Sequence, residues 1–354
     1  MKKFFLIAAT AAMVLSSCSK NTVSDNTTKA NQIGFGVYAG RTLTKADATF
    51  IPKGQTWLPA GAHFGVYCYS TTATEFKTVA ATAKANYMAN VDVHFDVTSA
   101  DATIAQTIGN YKYADTKYWP KDGNGIKLSF YAYYPFDCDA VTTIPDGTAA
   151  GLGSFEYTTP ATAATQPDFM LSEVAADQTY SSNSGNVPLV FHHVLSQIQV
   201  AAKIDDETNR NVTVKITGIV FNGLNNHGTV TESYDGTTTY TWGTTDGSAT
   251  YDVSPDSPIT LGTTSTDCTS DGKTILTVPQ TFPDGATVTI TYTVSGNGGP
   301  DVPVTVTIPL KDIVAQQGKT TNFDLTFSLF DTTKPITFTA SVVDWEVVNK
   351  PETI

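Results

Sequence analysis

The run Val288-Thr-Ile-Thr-Tyr-Thr-Val294 alternates an apolar side chain with threonine at every step. Side chains repeat every two residues only in a strand, where they point to opposite faces in turn, so this stretch has one dry face and one wet face. Threonine suits the wet face because its β-branch favours extended backbone while its hydroxyl meets water. The same period recurs in Ile126-Lys-Leu-Ser-Phe-Tyr-Ala-Tyr-Tyr134, with Ile126, Leu128, Phe130 and Ala132 on one face. Val302, Val304, Val306 and Ile308 repeat it, as do Phe323, Leu325, Phe327 and Leu329. Turn signals separate these runs: Asp122-Gly-Asn-Gly125, Asp235-Gly236, Asp246-Gly247, Asp271-Gly272 and Asn297-Gly-Gly299. Short alternating strands punctuated in this way predict an all-β protein built from antiparallel sandwiches. Only Thr78 to Met88, rich in alanine, reads as either a short helix or a loop.

The chain has 354 residues, enough for two domains. The polar segment Ala175 to Asn186 marks the boundary, which divides the chain into residues 32–186 and 187–354. The strand beginning at Val187 then opens the second unit.

The start of the chain is of another kind. Lys2 and Lys3 precede an apolar run from Phe4 to Leu15, and Leu15-Ser16-Ser17-Cys18 follows. A charged start, a short apolar core and small residues before a cysteine form a lipoprotein export signal, residues 1–17, cut so that Cys18 is acylated. The apolar run falls short of the ~20 residues of a spanning helix. Residues 18–31 read as a flexible tether, since Ser19 to Ala30 is almost devoid of apolar side chains.

Formal net charge is −12, and Arg41 and Arg210 are the only arginines. Such a chain does not bind nucleic acid or anionic lipid by charge. Beyond Cys18, the cysteines are Cys68, Cys138 and Cys268, widely spaced and without a CxxC. They read as buried thiols, with a Cys68–Cys138 pair the alternative in an oxidising compartment.

Little in the sequence points to catalysis. His192 and His193 are adjacent, so on a strand they face opposite ways and cannot grip one ion. His63, His94 and His227 show no ligand spacing with an acid or a cysteine along the chain. Asp205-Asp206-Glu207 reads as a solvated turn rather than half of a paired-acid site. Asp267 to Asp271 lacks the closing glutamate of a calcium loop. Nucleophile-elbow, zinc-protease, phosphate-loop and dinucleotide motifs are absent from the sequence. The expectation is a non-enzyme without cofactor or metal.

Six segments in order resemble the fimbrillin family, the type V pilins and their relatives in Bacteroidetes-type bacteria. They are Lys117-Tyr-Trp-Pro120 with Lys127 to Pro135; Asp168-Phe-Met-Leu171; Val190-Phe-His-His-Val-Leu-Ser196; Thr277-Val-Pro-Gln280; Gly318-Lys-Thr-Thr-Asn322; and Ile336 to Trp345. The resemblance implies two tandem transthyretin-like β-sandwich domains. It also implies export to the outer membrane as a lipoprotein, and cleavage after an early strand by a protease that is Arg-specific in the best-known members. A strand from the C-terminal end of another subunit then fills the opened groove.

The residues fit that route. Ile33, Phe35 and Val37 share one face of a short strand, and Gly40-Arg41-Thr42 follows it. Arg41, the only arginine in the first 209 residues, is a candidate cleavage site before Thr42, or else a surface residue. At the other end, Ile336, Phe338, Ala340 and Val342 form an apolar row, and Val343, Trp345 and Val347 form another, which predicts a bulge at Val342-Val343. Such a strand pairs either with its own domain or with a neighbour's open edge.

The expected function is a structural and adhesive fimbrial subunit, found at the outer membrane and then in the fimbrium. Its partners would be other copies or related pilins, membrane lipid through Cys18, and a surface receptor or glycan. Two alternatives remain: an uncleaved anchor or tip subunit, and a monomeric lipoprotein binding glycan. The glycan would stack on Tyr111, Tyr113, Tyr118, Trp119, Tyr131, Tyr133 and Tyr134.

Overall fold

A computed structural model describes residues 31–39, 62–95, 111–182, 184–269, 273–296, 299–329 and 336–345. Among them the protein is all-β, with one short helix, Asp206–Asn211, and three 3-10 turns. The alternating run Val288 to Val294 lies in the strand Thr287–Gly296, and Val288, Ile290 and Tyr292 are buried while the intervening threonines are half-buried. The alanine-rich stretch is a 3-10 turn at Phe76–Thr78 followed by turns, not a helix.

One sheet has eight strands. Its path runs Gly34–Ala39, Asn186–His193, Met170–Ser172, Ile126–Tyr134, His63–Thr72, Met88–Phe95 and Tyr111–Tyr113, and Ala175–Gln178 pairs beside Ile126–Tyr134. The sheet curls until its two edges meet. Phe35 on the first strand lies 5.8 Å from the ring of Tyr113 on the opposite edge, and the Tyr113 hydroxyl donates to the carbonyl of Ile33 at 2.9 Å. The inside of the curl holds Phe64, Val66, Phe130, Val187, Leu189 and Phe191.

The outer face is covered by a four-stranded sheet, Thr238–Trp242, His227–Tyr234, Ser154–Thr158 and Val141–Thr143. Between the two sheets lies a tyrosine-rich core, with the Tyr67 and Tyr131 rings stacked at 4.6 Å. Gly65 belongs to this face because a Cβ there would sit 2.0 Å from the Tyr133 ring. A separate core fills the space between two five-stranded sheets, one containing Ser196–Ile204 and Lys319–Phe327, the other Val212–Leu224 and Thr287–Gly296.

Three features depart from the sequence reading. Pairing is antiparallel except at Gly34–Ala39 with Asn186–His193 and at Ser196–Ile204 with Lys319–Phe327, which are parallel. Both parallel partners are far apart in sequence, as the long crossover of a parallel pair requires. Next, the strand that follows the polar segment 175–186 joins the first sheet rather than opening the second. Finally, the hairpin His227–Tyr234 and Thr238–Trp242, from the later half of the chain, pairs with Ser154–Thr158 of the earlier half.

That hairpin carries Glu232 into the tyrosine core. Its side chain is 2 % exposed and neither carboxylate oxygen has a hydrogen-bond partner. Burial pushes the carboxyl well above its ordinary range, because desolvation penalises the charged form. The ionisable groups around it are Tyr67, Tyr69, Tyr131 and Tyr240, each itself pushed up mainly by burial. The sign follows from linkage: the folded state holds its proton to higher pH than the unfolded chain, whose glutamates titrate near about 4.3. The associated stability is present below that pH and is lost as pH rises through the folded value. Glu232→Gln should therefore gain urea resistance relative to the parent between about pH 4 and pH 8, with the two converging near pH 4. Parallel pH profiles would contradict this.

Packing gives a second expectation. Phe35→Ala should lower the stability of the first unfolding transition by about 3–5 kcal/mol. Val342→Ala, on an exposed side chain, should change it by less than about 0.5 kcal/mol.

Candidate functional site

The first strand is an edge strand held on one side by Asn186–His193, in register from Gly34 opposite Asn186 to Ala39 opposite Phe191. Its face is fully internal, with Ile33, Phe35 and Val37 no more than 1 % exposed. Phe35 meets Phe64, Tyr113 and Phe130 edge to face, at 5.8–6.2 Å between centroids, an arrangement that adds to simple burial. Its N-terminal end is clamped by backbone bonds. Ile33 N–H donates to Lys117 at 3.0 Å, Gly34 N–H to Gly185 at 2.9 Å, and Trp119 N–H to Asn31 at 2.7 Å. Trp119 also donates from its indole to Gly185 at 2.9 Å. The Lys117-Tyr-Trp-Pro120 segment is thus the latch over the start of the strand.

The last described strand, Ile336–Asp344, is an edge strand of the other unit, antiparallel to Lys319–Phe327 over nine register pairs. Ile336 and Phe338 are half-buried against the second core. The same face then runs beyond the core, leaving Ala340 exposed and Val342 40 % exposed. The expected bulge at Val342-Val343 is not formed. Val342 pairs with Thr321 and Val343 with Thr320 in unbroken register, and Val343 is exposed on the opposite face. Two apolar rows arise because the strand outruns its core, so neither face needs a register shift to escape water. Lys319 and Asp344 form an ion pair at the strand's end. Trp345 continues to the first sheet and stacks on His193 at 4.1 Å and 9°, with the His193 Nδ1 2.9 Å from Asp168.

The proposed lipid attachment at Cys18, the signal before it, the tether to Ala30 and the Arg41-Thr42 bond lie outside the described residues.

Other candidates take quieter places. Of the tyrosines and tryptophan named for sugar stacking, Tyr111, Tyr113, Trp119, Tyr131 and Tyr133 are buried, Tyr134 is half-buried and only Tyr118 is exposed. The five buried ones are core rings, so these residues do not form a shared stacking platform. Asp205 caps the short helix by accepting from the Thr208 N–H at 2.7 Å, and hydrogen bonds from the Thr208 side chain and its N–H hold the carboxyl below the ordinary range. Asp267 closes a turn onto Thr269. His192 pairs with Glu173 and His193 with Asp168, both at 2.9 Å. Cys68, Cys138 and Cys268 are free thiols, the first and last buried.

One group was invisible to sequence spacing. Pairing of His63–Thr72 with Met88–Phe95 sets His63 opposite His94, with Asp92 two residues away on the same face. The signal was the His-x-Asp alternation reversed as Asp92-Val-His94, but its partner lies 29 residues upstream.

Comparison with known proteins agrees with this architecture. A family model described as fimbrillin-like matches residues 23–345. A fimbrium subunit, Fim1C of Phocaeicola vulgatus, is 25% identical over 226 residues, spanning 60% of this chain and 55% of that protein. The chain thus spans about half the length of that relative. The crystal structure of a fimbrial protein from Bacteroides vulgatus superposes with a TM-score of 0.59 at 19% identity, covering 89% of this chain and 99% of that one. With the match running across nearly all the described strands, the chain belongs to the fimbrillin-like family.

Proposed function

We propose that the chain is a structural and adhesive subunit of a fimbrium, exported as a lipoprotein acylated at Cys18. It is held at the outer membrane until the Arg41-Thr42 bond is cut. The first strand then leaves with the anchor, and a last strand from another subunit enters the groove. In this reading the two units are tandem transthyretin-like domains. The partners are other copies or related pilins, outer-membrane lipid before cleavage, and a receptor or glycan on an opposing surface. Nucleic acid is not among them.

The observation that carries the reading is the contrast between the two edge strands. Ile33, Phe35 and Val37 fill a core from an edge, tied to one neighbouring strand. Ala340 and Val342 wait exposed on an edge of their own. Each valine, isoleucine or phenylalanine side chain moved from water into such a groove contributes about 1.5–3 kcal/mol, and ladder hydrogen bonds lost with one strand are remade with the other. A strand leaving the groove without replacement would expose three core side chains, so release alone is unfavourable and exchange is the stable outcome.

A second reading, an uncleaved anchor or tip subunit, has one observation in its favour. The last strand is paired at home and Trp345 is docked on His193.

Treatment of the soluble chain with an Arg-specific protease separates the two. A new N-terminus at Thr42 followed by SDS-resistant ladders is expected, whereas an intact chain that stays monomeric would leave the anchor or tip role. Exchange also requires the home pairing to open. Trp345→Ala removes a ring stack worth about 0.5–1.5 kcal/mol, so amide exchange across Ile336–Asp344 should quicken roughly two- to tenfold. Unchanged protection there would show that Trp345 does not hold the strand.

A further inference from the structure

His63, Asp92 and His94 stand together on the outer face of the eight-stranded sheet, beyond the cover of the four-stranded sheet. We propose that they form a binding site for a divalent transition-metal ion of the zinc type, independent of the strand-exchange reading. His63 Nδ1 lies 2.9 Å from Asp92 Oδ1 and 3.0 Å from Oδ2. His94 Nδ1 lies 3.9 Å from Asp92 Oδ2, and one ligand atom from each residue falls within 4.8 Å of the others. Ligand atoms around a zinc ion with bonds of about 2.0–2.2 Å are themselves about 3–3.5 Å apart. The His63–Asp92 separation therefore needs almost no change, and His94 must close on the other two donors by up to about 1.5 Å.

The two rings lie nearly parallel. Their centres are 4.8 Å apart and their planes differ by 20°. Imidazoles on adjacent positions of one ion, with bonds of about 2.1 Å, put their centres about 4.6–5.3 Å apart. The second, independent observation is His94 Nδ1, which is buried from water and has no hydrogen-bond partner. An orphaned buried nitrogen costs free energy, and a metal ion would satisfy it. Nitrogen and carboxylate donors on two rigid, paired strands match the preferences of zinc, copper or nickel rather than calcium.

The strand register explains why the donors converge. His63 and His94 are direct cross-strand partners, and Asp92 sits opposite Gly65, where no side chain intervenes. A cleft of about 370 Å³ borders Asp92 and His94 and is also lined by Asp115, so water can complete the coordination sphere. Lys112 lies opposite His94 on the next strand and is exposed.

The test is calorimetric titration of zinc sulfate into the full chain, stripped with EDTA and desalted. One equivalent should bind, and His63→Ala, His94→Ala and Asp92→Asn should each weaken binding at least tenfold. His227→Ala, which removes a histidine paired with Asp246 at 2.7 Å, should leave it unchanged. Thermal transitions measured in EDTA establish that each variant folds, and zinc should raise the transition of the parent but not that of His94→Ala. No saturable binding by the parent would overturn the site, as would binding equally tight in the folded His63→Ala and His94→Ala variants.

Discussion

The first unit depends on closure of a curled sheet by its own first strand. A sheet that rolls until its edges approach has an inside to fill, and here the last gap is taken by Ile33, Phe35 and Val37. The Tyr113 hydroxyl on Ile33 and the Phe35–Tyr113 ring contact bring the two edges together through side chains. Without the strand, Phe64, Phe130 and Phe191 would face an open slot, and the Asn186–His193 strand would present an unpaired edge. Exposed apolar surface and unpaired backbone in one place are the two ingredients of strand addition. The same element therefore completes the fold of a single subunit and, in the proposed route, delays its assembly.

The rest of the molecule makes that arrangement durable. The hairpin from the later half of the chain covers the outer face of the curl, and the Trp242 indole donates to the Val194 carbonyl at 2.8 Å. Trp345 on His193 adds a contact from the last strand. The curl is thus braced from outside by residues that do not belong to the groove, so losing the first strand need not unfold the unit. Glu232 sits in this brace as an unpartnered acid, which makes the outer core a place where stability varies with pH.

Local order was legible in the residues. Strict alternation from Val288 to Val294 announced a half-buried strand, and Ile33, Phe35 and Val37 announced theirs despite two intervening glycines, because side-chain period is a property of a few neighbours. Long-range pairing was not legible. The parallel docking of Gly34–Ala39 on Asn186–His193, and the crossing of the hairpin into the earlier half, depend on which edges remain open after the other strands have paired. For the same reason His63 met Asp92 and His94 only through strand register. The bulge foreseen at Val342-Val343 is absent for a physical reason: two successive apolar rows suggest a register shift, whereas the strand keeps its register and simply leaves its core.

The central claim is that release of the first strand, and nothing else, opens the groove. Gly34 and Asn186 are direct register partners, and a side chain begun at Gly34 would meet Asn186 at once, so Gly34→Cys with Asn186→Cys can lock the strand by a disulfide. The most direct measurement is the assembly of this variant after cleavage at Arg41, followed by gel electrophoresis before and after reduction. The account predicts cleaved but monomeric protein while the lock is oxidised, and SDS-resistant ladders once it is reduced. Equal polymerisation of the oxidised and reduced forms would contradict it.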